Sequence, residues 1–366
     1  MQIYTTPALA ANTTYYVAST SGLAPGSSFT FSNSGASGRY GPTQGQVSGA
    51  YAGTNLANQV TVNTQGIQEW VVPQAGTYQI QVNGAQGGGN GGLGARMQGE
   101  FTLTAGQKLF IVVGQQGNGP NDGGACGGGG GSFVATGNAT YSTSTPLIVA
   151  GGGGGQSPQV GQPGLISTNG GQGENCQPGG TNGNGGADAS NCGSGSGGAG
   201  GFYTNGASGG NYGSQYGSGF ISGAAIGGSS SYGSREGGFG GGAGTHSNNT
   251  GGGAGGGYSG GSAPQHGSNY EGGGGGSINN GANQVNTQGI NAGNGSVIIT
   301  PLAAPCASAL VPVSVTVNPI PAPTASNVTI NCGQTATLNA VGNGTIYWYS
   351  DAAGTTGLGT GAIPTI

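Results

Sequence analysis

Residues 84–300 hold 75 of the chain's 92 glycines, and apolar runs feed straight into them, as in TPLIVAGGGGG (145–155). Glycine constrains this chain more than any other residue type. Ordering a backbone residue costs about 1–2 kcal/mol, and glycine loses roughly 0.5–1 more, so the region opposes folding by on the order of 100 kcal/mol. Glycine offers no side-chain burial in return, only hydrogen bonds worth about 1 kcal/mol net each. Isolated glycine strings therefore stay disordered. Packed side by side they have another option. An extended strand with about three residues per turn has no internal hydrogen bonds, so its N–H and C=O groups point outward. Several such strands bond to one another if backbones approach closely, which only glycine permits. The arrangement is close to break-even and needs a scaffold that fixes the strand ends. A collagen-like chain is excluded, because Pro numbers only 17 and glycine does not recur at every third position.

The apolar strands supply that scaffold. AGTYQIQVNG (75–84) alternates Tyr78, Ile80 and Val82 with Thr77, Gln79 and Gln81, the pattern of a half-buried strand. IQEWVVP (67–73) precedes it and ends at Pro73, which cannot donate to a ladder. GEFTLTAGQKLFIVVG (99–114) reads as a hairpin around Ala105–Gly106, its second arm continuously apolar from Phe110 to Val113 and so buried on both faces there. GSFVAT (131–136), TPLIVA (145–150) and GSVIIT (295–300) complete the set. The chain leaves the sheet after residue 150, runs through glycine, and returns. No segment holds apolar positions at helical period for three turns, so essentially no α-helix is predicted.

Charge and chemistry narrow the function. Charged residues are 3% of the chain, against roughly 25% in an ordinary domain. Arg39, Arg96, Lys108 and Arg235 are its four cations, too few for a phosphate-binding surface, so nucleic acid is not an expected partner. No apolar run approaches the roughly 20 residues of a membrane span, so no membrane insertion is expected, and no signal peptide is visible at Met1. His246 and His266 stand alone in glycine-rich loops, and Asp122, Asp188, Glu174, Glu236 and Glu271 are scattered. No HExxH, GxSxG or calcium-loop pattern accompanies them. GxGxxG matches arise by chance in such a composition and lack a strand–turn–helix setting. The expectation is a protein that is not an enzyme, with no cofactor and no metal. Cys126, Cys176, Cys192, Cys306 and Cys332 form no CxxC pair, and their scatter fits disulfides in an oxidising compartment.

The order of KLFIVVGQQG, GGGGGSFVAT, TPLIVAGGGGG, GGFGGGAG and GGGYSGG…YEGGGGGSINNGANQ, after the lead-in GRYGPTQGQVSGAYAGTNLANQVTVNTQGIQEWVVPQAGTYQIQVNGAQGG, resembles the glycine-rich domain of the anaplastic lymphoma kinase and leukocyte tyrosine kinase receptors and of bacterial surface relatives. The resemblance covers about residues 28–300. It implies an all-β fold, a jelly-roll-like β-sandwich packed on a bundle of polyglycine II helices. In the receptors this region binds a protein cytokine. The cytokine-contacting residues do not map onto this chain, so the resemblance carries the fold and not the site.

The ends resemble Ig-like modules of large secreted adhesins of Bacteroidota. YTTPALAANTTYYVASTSG (4–22) is similar to the end of such a module, CASALVPVSVTVNP (306–319) to its final strand, and TVNPIPAPTASNVTINCGQTATLNAVGNGTIYWYSDAAGTTGLGTG (316–361) to the start of another. The implied organisation is the end of an Ig-like module at 1–22 and the glycine-rich domain at 23–301. Within that domain the β framework lies mainly at 27–150 and 295–300, and the bundle mainly at 84–96, 117–131 and 151–294. The last strand of the first module follows at 302–318 and a second, truncated module starts at 319–366. Both end modules are incomplete Ig-like β-sandwich pieces, and the chain is read as a fragment of a longer one. Thr14–Ser19 and Val311–Val317 should then lie antiparallel side by side. Cys306 and Cys332 would lack their partners, and Cys176 and Cys192 are the candidate disulfide, although spacing does not fix connectivity. By the same resemblance the chain is secreted or held on a bacterial cell surface through type IX secretion.

Aromatic residues punctuate the glycine region. Tyr with Ser, Gly and Asn is the palette of recognition loops, because Tyr gives rigid contact area at low entropy cost. Tyr203, Tyr212, Tyr216, Phe220, Tyr232, Tyr258 and Tyr270 are the candidate ligand-binding residues, and NYGSQYGSGF (211–220) is the expected surface loop. The competing reading has these rings shielding the bundle from water. The expected function is adhesion: binding a glycan or protein on another cell surface, beside neighbouring Ig-like modules of the same longer chain. A stiff structural spacer without a ligand and an accessory module beside an enzyme are the alternatives.

Overall fold

The computed structural model describes residues 3–17, 23, 27–120, 124–137, 139–187, 195–208, 215–231, 234–246, 251–265, 270–302 and 310–361. The chain forms two units, residues 1–20 with 307–366, and residues 21–306.

In the first unit β1 (Thr13–Val17) pairs antiparallel with β13 (Val311–Val315), Thr13 opposite Val315 and Val17 opposite Val311. This is the neighbour relation expected for these segments. Tyr15, Val17, Val311, Val313 and Val315 fall on one face by the two-residue alternation of a strand. Further along, β14 (Thr324–Ala325) pairs with β15 (Ala340–Val341), and β16 (Tyr347–Tyr349) with β17 (Gly357–Thr360). None of the described residues of this unit is buried. Cys332 is a free, exposed thiol. Before β17, Asp351 accepts hydrogen bonds from the backbone N–H groups of Thr355 (3.1 Å) and Thr356 (2.6 Å). These bonds hold its carboxyl down, from the ordinary 3.8 to about 2. A depressed pKa means that this turn's contribution is complete above about pH 4 and is lost as pH falls through the folded value. An NMR titration of the Asp351 carboxyl should show a midpoint near 2. A midpoint at the ordinary 3.8 would mean the turn does not form in solution.

The second unit holds two antiparallel sheets. One contains, in spatial order, β10 (Ile278–Asn279), β9 (Thr145–Ala150), β8 (Ser132–Thr136), β7 (Lys108–Val112), β4 (Gln68–Val71) and β3 (Val60–Thr61). The other contains β11 (Ala282–Asn291), β6 (Gly94–Leu103), β5 (Gly76–Asn83), β12 (Ser296–Pro301) and β2 (Phe29–Phe31). The alternation read in β5 is borne out, with Tyr78, Ile80 and Val82 buried. They join Phe29, Phe31, Met97, Val297 and Ile299 of their own sheet, and Trp70, Leu109, Ile111, Val134 and Ile148 of the other, in one core. Opposite faces of β7 serve different layers. Leu109 and Ile111 enter that core, while Phe110 and Val112 enter a second one against the glycine region. That is why this strand is apolar without a break from Leu109 onward. The fold is an all-β sandwich, with 26% of the described residues in strand and 4% in helix.

Among the elements that escaped the sequence reading, a helix and a long strand have clear physical reasons. Helix α1 (Gln44–Ala50) corrects the absence of helix signals: Thr43 and Gln46 form a capping box, side chain of each to backbone N–H of the other. At seven residues it is too short to show a helical period. Strand β11 runs through residues assigned to the bundle by composition. Its sequence ANQVNTQGIN lacks apolar alternation because it is an edge strand, half-buried at best along its whole length.

The glycine region packs on the outer face of the six-stranded sheet. Its order is visible in hydrogen bonds that repeat every third residue. Gly252, Gly255 and Tyr258 donate to the carbonyls of Tyr270, Gly273 and Gly276, at 3.0, 2.8 and 2.7 Å. A parallel register with a three-residue step is the signature of polyglycine II. At the centre lies 151–156. Gly152 and Gly155 donate to Gly256 and Gly253, Gly153 and Gln156 to Ala85 and Gly88, and Gly154 to Gln162. Its carbonyls accept from Ala95, Gly275, Gly129, Gly92 and Cys126. Gly151 donates to Ser277 Oγ at 2.9 Å, so every N–H of this segment has a partner. The glycines after β9 are building material, buried without exception, and not a tether.

Candidate functional site

The three-residue register fixes which ends of the bundle each aromatic residue occupies. Tyr258 ends the segment that starts at Gly252, beside Gly276, while Tyr270 lies beside Gly252. Six residues separate these levels, about 19 Å at a rise of about 3.1 Å per residue. Gly217 and Phe220 donate to Gly198 and Gly201, so Tyr216 also lies toward the end away from Tyr203. Of the seven candidate residues, the structure brings together Tyr203, Tyr258 and Phe220. Tyr216 and Tyr270 stand apart from them, each half-buried. Tyr212 and Tyr232 lie outside the described residues.

Phe220 requires a correction. It is fully buried and does not sit on a surface loop. It starts α2 (Phe220–Gly223), and its ring stacks on Phe133 of β8 with centroids 5.4 Å apart and planes within 10°. The segment returns onto the sheet's outer face, where a Phe gains more from burial than from display. Phe220 thereby links a chain of rings. Tyr141 meets it edge-on at 5.8 Å and Phe202 meets it tilted by 41° at 5.0 Å, Phe202 meets Tyr203 edge-on at 5.1 Å, and Tyr203 meets Tyr258 at 6.4 Å with an interplanar angle of 72°. The three edge-to-face pairs match the ring quadrupoles. Phe202 and Phe220 anchor the series in the interior, and Tyr203, 38% exposed, presents it at the surface.

A turn holds Tyr203 in place. Asn182 and Gly183 both have positive φ, 54° and 82°, and Asn184 N–H donates to Thr181 O at 3.0 Å, a type I′ geometry. Gly183 O accepts from Tyr203 N–H at 2.8 Å. A Cβ at Gly183 would stand 2.5 Å from Tyr203 Cδ2 and 3.2 Å from Tyr258 Cε2, so the rings close directly on bare backbone. Asn184 Nδ2 donates to Thr181 O, and Thr204 Oγ1 accepts from Gly185 N–H. Burial pushes the Tyr258 phenol up, and the neighbouring Tyr203 adds to this. The sequence reading missed Tyr141 and the Asn182–Gly183 turn. The Asn-Gly pair was the available signal, a strong turn former.

Elsewhere, Cys176 is disulfide-bonded, and Cys192 lies outside the described residues. Among the described residues no group of His, Cys, Asp or Glu side chains forms a metal site, and no helix is long and apolar enough to cross a membrane.

No family model matches the chain. It is similar to the leukocyte tyrosine kinase receptor of Mus musculus, 40% identical over 105 residues, a stretch that covers 26% of this chain and 12% of the receptor.

Proposed function

We propose that this chain is a non-catalytic, extracellular ligand-binding module that recognises a glycan or protein on another cell surface. The observation that carries the reading is the aromatic end of the bundle. A scaffold of mutually hydrogen-bonded backbones, anchored by Phe202 and Phe220, holds Tyr203 and Tyr258 fixed at the surface. Rigid aromatic anchors bind at low entropic cost. The likeness to part of a receptor supports a recognition role. The pairing of β1 with β13 supports insertion of the glycine-rich unit into an Ig-like module. In this reading the module belongs to a secreted adhesin of a Bacteroidota-type surface. The test is binding of the purified chain to whole cells and to a glycan array, with folding checked by a melting curve. Saturable binding on either platform is the expected result. A folded chain that binds on neither is a structural spacer.

A further inference from the structure

We propose that the Tyr203–Tyr258 end of the bundle binds a neutral carbohydrate, a pyranose ring lying against Tyr203 with its hydroxyls served by the amides of the Thr181–Asn184 turn. The inference rests on the ligand-binding reading and narrows its ligand class.

The rim decides between chemistries. The segments that build this end, 181–186, 201–206, 220–226 and 257–261, contain no Asp, Glu, Lys or Arg. A cation held over aromatic rings gains from a carboxylate nearby, and an anionic ligand needs Arg or Lys. Neither is here. What the rim offers is aromatic surface, amides and hydroxyls. Among the described residues, the hydroxyls of Tyr203 and Tyr258 and the amide of Asn182 make no protein hydrogen bond. The Asn184 amide commits one donor to Thr181 O and keeps another N–H. A pyranose matches this inventory: an apolar face of C–H groups for the ring and an edge of hydroxyls that donate and accept. Tyr203 also keeps its orientation without a ligand, between Phe202, Tyr258 and the Gly183 backbone. The cost of ordering it has already been met in the free protein.

The experiment uses the full chain on an array of neutral, sialylated and sulfated glycans, and on whole cells. Tyr203→Ala, Tyr203→Phe and Asn184→Ala are compared with Tyr270→Ala at the other end of the bundle, each checked by its melting curve. Saturation-transfer NMR with irradiation of the aromatic protons, compared between the unaltered chain and Tyr203→Ala, reads whether sugar protons contact that ring. Expected are saturable binding of neutral glycans and transfer to sugar protons that is lost in Tyr203→Ala. Affinity should fall at least 10-fold in Tyr203→Ala, fall in Asn184→Ala, and change less than 3-fold in Tyr270→Ala. Tyr203→Phe should retain most binding, because it keeps the ring. Glycan binding untouched by Tyr203→Ala, or confined to sialylated or sulfated glycans, overturns the inference. Binding to cells without any glycan overturns it too, while the binding-module reading stands with a protein ligand. Binding on neither platform removes both.

Discussion

Gly153→Val abolishes folding of residues 21–306. Gly153 lies at the centre of the bundle. Its N–H donates to Ala85 O at 2.9 Å, and its carbonyl accepts from Gly129 N–H at 2.8 Å. A Cβ there would fall on the Gly92 carbonyl. Gly92 cannot retreat, because its own N–H bonds to Gly154 O and its carbonyl accepts from Gly87 N–H. A side chain therefore parts several backbones at once, and each buried group left unpaired costs about 1–3 kcal/mol. A few such losses match the whole stability of a domain, about 5–15 kcal/mol. The expected observation is loss of the cooperative thermal transition, with Gly153→Ala strongly destabilised as well. Gly45→Ala is the matched control. Gly45 lies in α1, has nothing within 4 Å of its Cβ position, and should gain about 0.5–1 kcal/mol from helix propensity. An unchanged transition in Gly153→Val would return the glycine run to the status of a slack tether.

Phe220→Ala lowers stability by about 3–5 kcal/mol, the usual cost of emptying a buried Phe site. The ring touches Phe133, Phe202 and Tyr141, and collapse around the vacancy is limited by the sheet on one side and close-packed glycine backbone on the other. Tyr203→Ala, which removes a partly exposed ring, should cost far less. The ligand effect is reversed. Below its melting temperature Phe220→Ala should keep more affinity than Tyr203→Ala, which should lose at least 10-fold. Denaturant titrations of both variants with an unchanged m-value, paired with binding isotherms, make the comparison. Equal stability losses in the two variants would mean that Phe220 is not the interior anchor the ring geometry describes.

Much of the sandwich was legible because strand alternation is local. Tyr78, Ile80 and Val82 announced a half-buried strand, and the unbroken run Phe110–Val113 announced burial on two sides. The energetic argument over the glycines was also legible: a region that costs so much to order folds only as a mutually bonded bundle, and the Leu147–Ala150 strand does anchor its central segment. Strand β11 and helix α1 were not, the first because an exposed edge needs no apolar pattern, the second because its capping box spans four residues among many Ser, Thr and Gln.

The site was the least legible part. Seven aromatic residues in similar Gly-rich surroundings are equivalent by sequence. Phe220 turned inward and Tyr203 outward only because the first lands on Phe133 and the second on the Asn182–Gly183 turn. Composition and alternation thus determined the class of structure: a β framework that orders a polyglycine bundle. Only the tertiary structure decided which glycine segment lies beside which, and hence which tyrosines meet. The physical reason is that glycines are chemically identical partners. A three-residue register can slip between neighbours at no local cost, so it is set by distant anchors in the sheets, which no short stretch of sequence contains.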